Sequence, residues 1–176
     1  MAKGYSKAKG RSEGGQFFAL PHRVLKHENF IWLTPRANKL FLDLCVQYNG
    51  KNNGDLTTAF SIMKKRGWRS KETLYLAADE LLHYGFIVRT RIGGLNKSAS
   101  LFAFSFRAID ECIGKLDCKP TNAPPGDWKN QVDKWVKPNR YKDIDKRRQI
   151  KREIKAGVRN PYQPATESVP IASVKD

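Results

Sequence analysis

LTTAFSIMKKRGWRSKETLYLAADELLHYGFIVRTRIGGLNKSASLFAFSF, Leu56 to Phe106, is the stretch on which the fold turns. Thr57 or Thr58 is placed to cap a helix that runs to about Arg66, with Ala59, Phe60, Ile62 and Met63 as its buried side. Gly67 ends that helix, because a left-handed backbone costs glycine little. Trp68 packs in or beside the turn. Ser70 is a good N-cap for a second helix, Lys71 to about Tyr84. Its third helical position holds Thr73, not Glu or Gln, so there is no full capping box. Leu74, Ala77, Ala78, Leu81 and Leu82 recur at the spacing of one apolar helix face. Gly85 stops this helix. Phe86 to Arg91 then alternates imperfectly, with Phe86, Val88 and Thr90 on one face and Ile87, Arg89 and Arg91 on the other. Gly93-Gly94 opens a loop holding Asn96, Lys97 and Ser98, and Leu101 to Phe106 alternates again as the returning strand.

Helix, tight turn, helix, strand, loop, strand predicts an α+β fold of the winged helix-turn-helix type, a three-helix core plus a β-hairpin wing. The remaining core helix lies upstream. Thr34-Pro35 is a strong helix start, and Ala37, Leu40, Phe41, Leu44, Cys45 and Tyr48 repeat at three and four residues. Lys51-Asn52-Asn53-Gly54 reads as a turn, and Asp55-Leu56 as a short first strand. Order begins at Phe17, with a short helix expected around His22 to Lys26.

Three segments follow from composition. Residues 1–16 form a disordered basic arm, with Lys3, Lys7, Lys9 and Arg11 and almost nothing apolar; it suits either phosphates or solubility. The winged helix-turn-helix spans 17–118. Residues 119–176 form a proline-containing basic extension, in which 141–156 can form a helix with a thin stripe of Ile144, Ile150 and Ile154, before a disordered end. From Lys137 to Arg159 ten Lys/Arg face three Asp/Glu. Trp128 and Trp135 in this extension either fold back onto the domain or stack on single-stranded bases. Flexible basic tails thus flank the core.

The 176 residues carry a formal net charge of +16, which favours polyanionic partners, nucleic acid first. Cys45, Cys112 and Cys118 are too few and too scattered for a disulfide framework, which points to a reducing, cytoplasmic compartment. No run approaches the ~18 apolar residues of a membrane span, and Phe17 to Leu20 is too short for a signal-peptide core. His22 and His27 lack companions at zinc spacing, and Gly93-Gly94 lacks the Lys and helix of a phosphate loop, so neither a metal, a cofactor nor a catalytic set is expected.

In this fold the first turn of the second motif helix faces base edges. Arg69, Ser70, Lys71 and Thr73 are therefore the expected base or near-base contacts, with Trp68 beside them. Lys64, Lys65, Arg66, Arg89, Arg91 and Lys97 are the expected phosphate contacts, with Ser98 in the wing. Lys64 to Arg66 also suit the negative end of their helix, and the wing cations also suit a protected sheet edge. The face of the second helix opposite its apolar stripe carries Glu72, Leu76, Asp79, Glu80 and His83, so past its first turn the helix presents acid. That face would repel phosphate, or meet another protein.

The run from Phe17 to about Trp128, most clearly in NGKNNGDL (49–56), RGWRSKETL (66–74) and GFIVRTR (85–91), resembles winged-helix proteins of bacterial prophages, plasmids and other mobile elements. The resemblance implies a bacterial, nucleoid-associated protein of transcriptional control or replication, whose partner is double-stranded DNA. It implies no catalytic residue. A homodimer or a replication or transcription protein is a further expected partner. The alternatives are a protein-interaction module on the same scaffold, and binding of RNA or single strands through the basic tails.

Overall fold

The computed structural model describes residues 16–94 and 98–138, together with Gln149, Arg152 and Glu153. Two compact units divide after Trp135. The first contains helices α1 (His22–Leu25), α2 (Glu28–Ile31) and α3 (Pro35–Gln47), strand β1 (Leu56–Thr57), helices α4 (Phe60–Lys65) and α5 (Lys71–His83), and strands β2 (Ile87–Arg91) and β3 (Leu101–Phe104). It is an α+β unit whose three strands form an antiparallel sheet in the order β1-β3-β2.

The two long helices start where their caps predict. Thr34 Oγ1 accepts from the Ala37 amide at 3.3 Å with Pro35 in the first turn of α3, and Ser70 Oγ accepts from the Thr73 amide at 3.4 Å on α5. Their apolar stripes, Ala37, Leu40, Phe41, Leu44 and Cys45 on α3 and Leu74, Ala77, Ala78 and Leu81 on α5, are buried, and the two helices pack together. The small Ala77 and Ala78 permit close approach. Phe41 closes the core against the sheet side, its ring centroid 6.0 Å from that of Phe86 and 5.5 Å from that of Phe104, both steeply inclined as aromatic quadrupoles prefer.

β3 is the central strand and all four of its residues are buried. Asn53, fully buried in the turn before β1, completes the pairing beyond β1. Its Oδ1 accepts from the Phe104 amide at 2.7 Å, and its Nδ2 donates to the carbonyls of Phe104, Arg107 and Ala108. A buried amide so fully satisfied is inexpensive, and losing it would orphan several backbone groups.

Four expectations are corrected. First, neither threonine caps α4: Thr57 lies in β1 and Thr58 is buried, and the N-cap position falls to Ala59, which makes no side-chain cap. Thr57 Oγ1 instead accepts from the Ala59 amide at 3.1 Å. Second, α4 is only six residues long and buries Met63 alone, leaving Ile62 exposed and Phe60 half-buried. Third, β2 does not alternate as a regular strand. Its register to β3 slips between Arg89 and Arg91, and this bulge changes the phase. The shift moves Arg91 off the face of Ile87 and Arg89, while Thr90 keeps the buried side it shares with Phe86 in the alternation, its hydroxyl donating to the Gly54 carbonyl at 2.6 Å. Fourth, the first unit continues past residue 118 to Trp135. Trp128 folds back and is buried; Asn29 Nδ2 donates to the carbonyls of Trp128 and Asn130 at 3.1 and 2.9 Å. The Gly126 amide donates to the Ser105 carbonyl, and the Trp135 amide to the Tyr84 hydroxyl.

Of the helix predicted at 141–156, Gln149, Arg152 and Glu153 are described and are helical, with Gln149 Nε2 donating to Glu153 Oε1 four residues on. The basic arm before Gln16, Lys97 and the chain end lie outside the described residues.

Candidate nucleic-acid interface

The connection from α4 to α5 is a short cationic ridge. Lys64, Lys65, Arg66, Arg69 and Lys71 are all exposed. Lys64 and Lys65 fall in the last turn of α4, where the helix end is negative, so the field of the helix supports their charge. Gly67 holds φ +88 with open space around it, which lets the chain reverse at the ridge. Lys71 Nζ lies 5.8 Å from the Phe60 ring centroid. Ser70 and Thr73, expected near the bases, are half-buried and committed in part to the cap of α5.

Trp68 is corrected from a DNA-contacting residue to a buried one. It is 5% exposed, and its indole Nε1 donates to Asp43 Oδ2 at 2.7 Å. Asp43, on the far half of α3, is the hub under the ridge. Its Oδ1 accepts from Arg66 Nε at 2.9 Å and its Oδ2 from Lys39 Nζ at 2.6 Å. Lys39 Nζ also donates to the Arg66 carbonyl at 2.9 Å and lies 4.9 Å from the Trp68 ring centroid. Burial alone would push the Asp43 carboxyl up. The hydrogen bonds from Lys39, Trp68 and Arg66 outweigh that and hold it below its ordinary value of 3.8. Sequence reasoning missed this residue because Asp43 sits among Leu42, Leu44 and Cys45 and reads there as an ordinary polar position of an amphipathic helix.

The wing residues divide. Arg89 is exposed, its guanidinium 5.8 Å from the Phe102 ring centroid. Arg91 is half-buried and committed to the protein: Nε and Nη2 donate to the Ala99 carbonyl at 3.2 and 2.9 Å, and Nη1 to the Lys115 carbonyl at 3.4 Å. Its visible task is to tie the wing to the segment after β3. Ser98 is exposed, and with Thr58, Ala59, Tyr75, Gly93, Gly94, Ala99 and Ser100 it lines a groove of about 320 Å³. Tyr75, 45% exposed, was not among the expected contacts. The signal existed: it lies one turn beyond Lys71 on the same side of the helix.

The acidic face expected on α5 is smaller than its sequence suggests. Glu80 is 2% exposed and belongs to the core, where it receives two hydrogen bonds from Thr34. Glu72 and Asp79 are half-buried.

No family model matches this chain, and neither a curated protein nor a solved structure matches it.

Cys45, Cys112 and Cys118 are unpaired thiols. Burial pushes Cys45 up to about 12, and burial with the nearby Asp55 and Asp110 raises Cys112, so both are protonated at neutral pH. Among the described residues no group of three or more His, Cys, Asp and Glu is placed to hold a metal ion, and no helix is long and apolar enough to cross a membrane.

Proposed function

We propose that this protein is a winged helix-turn-helix DNA-binding protein that engages duplex DNA through the α4–α5 connection, in transcriptional regulation or replication of a phage or other mobile element. The observation that carries the proposal is the exposed ridge of Lys64, Lys65, Arg66, Arg69 and Lys71, seated on a buried Asp43–Trp68 anchor. Five cations gathered on one short connection repel one another, and a polyanion relieves that repulsion. The same connection leads into the capped first turn of α5, the part of the second motif helix that approaches the bases in a winged helix-turn-helix. On the wing Arg89 offers a further exposed cation, and Ser98 and Tyr75 line one groove, adding hydroxyl groups. Removal of Glu80 from the outer face of α5 takes away half of the Asp79–Glu80 pair that would have opposed a phosphate strand there.

The test is fluorescence anisotropy of the full chain with random-sequence duplex, duplex selected from a random pool, and single strands, over a salt series. Duplex binding should weaken linearly in log–log form, with a slope of about −0.9 for each phosphate neutralised. Salt-insensitive binding, or preference for single strands over duplex, would sink the proposal in favour of the protein-module or single-strand alternatives.

A further inference from the structure

Lys39 lies on α3, outside the turn motif, yet the structure brings it to the ridge. Its ammonium shares the Asp43 carboxylate with Arg66 and bonds the Arg66 carbonyl as well. Both cationic side chains are substantially exposed, 46% for Lys39 and 40% for Arg66, whereas the Asp43 side chain is 7% exposed. One carboxylate balances one of these two charges and leaves a surplus of one. The ion pair with Asp43 engages Arg66 through Nε, so it does not use the two terminal amino groups that form the fork suited to phosphate oxygens. The Lys39 ammonium donates to Asp43 and to the Arg66 carbonyl and lies 4.9 Å from the Trp68 ring centroid, while its side chain stays 46% exposed.

We infer that Lys39 and Arg66 form a seat for one backbone phosphate of duplex DNA, and that Asp43 is the positioning residue that aims them. This rests on the DNA-binding proposal above and adds to it a contact from α3. A single phosphodiester matches the surplus charge, the fork of Arg66 and the partly exposed side chain of Lys39. Asp43 itself touches no ligand. Its contribution is to fix the pair in advance, so that less side-chain entropy is lost when phosphate arrives.

The experiment uses the full chain and a short random-sequence duplex over a salt series, with wild type, Lys39→Met, Arg66→Met, Asp43→Asn and the double variant Asp43→Asn/Arg66→Met. Lys39→Met and Arg66→Met should each reduce the salt slope by about one unit. Asp43→Asn makes the chain one charge more positive, so a purely long-range field would tighten binding. Positioning requires the opposite, a loss of roughly tenfold. In the Arg66→Met background the same substitution should cost much less, because Asp43 acts through the Lys39–Arg66 seat that Arg66→Met has already removed; a merely structural Asp43 would give additive losses. An unchanged slope in Lys39→Met, tighter binding by Asp43→Asn, or additivity in the cycle overturns the inference while the DNA-binding proposal stands. Absence of salt-sensitive duplex binding by wild type overturns both. If thermal melting shows that Asp43→Asn does not fold, the two exposed-site variants decide alone, on their slopes.

Discussion

Glu80 grips Thr34. Its Oε1 accepts from the Thr34 amide at 2.7 Å and its Oε2 from the Thr34 hydroxyl at 2.8 Å, so the end of α5 is bonded to the N-cap of α3. Asp43 does the converse, bonding the late part of α3 to the entry of α5 through Arg66 and Trp68. Two carboxylates thus tie α3 at its start to α5 and in its later half to the connection before α5, and a negative group beside a helix N-terminus is further favoured by the helix field. Glu80→Ala should cost about 1–3 kcal/mol, because it leaves the Thr34 amide without its partner in a packed setting. Urea unfolding would measure this. A cost within error of zero would show that water replaces the carboxylate there, and that the tie is dispensable.

Asp43 predicts a pH signature. Its folded pKa lies below the ordinary value of 3.8, so the anion stabilises the fold. The sign follows from linkage: this contribution is complete above the unfolded pKa near ~3.9 and is lost as pH falls through the folded value. The stability gap between wild type and Asp43→Asn should therefore be largest near neutral pH and should narrow below about pH 4. Chemical denaturation at several pH values reads it. A gap that stays constant down to the acid limb would remove Asp43 as its source.

The two wing arginines should separate. Arg91→Ala removes bonds to the Ala99 and Lys115 carbonyls and should destabilise by about 1 kcal/mol. Arg89→Ala leaves those bonds in place and should instead weaken duplex binding, reducing the salt slope by about one unit with little change in melting temperature. Equal effects of both substitutions on stability and on binding would contradict this division.

The compact unit continues past residue 118 to Trp135, with Trp128 buried. Trp128→Ala should cost about 3–5 kcal/mol, the usual penalty for emptying a buried aromatic site. Truncation after Cys118 should be at least as damaging. Gly85→Ala tests the same contact from the other side. Its φ is +69, and a Cβ there would lie 2.6 Å from the Asp127 carbonyl carbon and oxygen, so backbone would have to move. A truncated chain melting like wild type would show that this packing is incidental.

How much of this was legible in the chain differs element by element. Thr34-Pro35 and Ser70 specify the starts of α3 and α5, and the three-and-four spacing from Ala37 to Cys45 and from Leu74 to Leu81 specifies their buried faces, because capping and amphipathicity are local properties. The concentration of cations from Lys64 to Lys71 was legible for the same reason. The bulge between Arg89 and Arg91 was not, since Phe86 to Arg91 reads only as an imperfectly alternating strand, and a register slip is a property of its pairing with β3.

The sequence by itself determined the α+β class, the long-helix boundaries and the cationic connection, but of the two short helices before α3 it marked only the one at His22–Leu25, not the one at Glu28–Ile31. Tertiary structure alone decided which polar groups are inside. Asp43, Glu80 and Asn53 look like surface residues in a linear reading, and each is buried against donors or acceptors that arrive from distant segments. A buried carboxylate or amide is tolerated only when such partners meet it, and periodicity carries no record of where they come from. For the same reason Trp68 moved from the expected interface to its foundation, and Lys39, from a different helix, moved to the ridge above it.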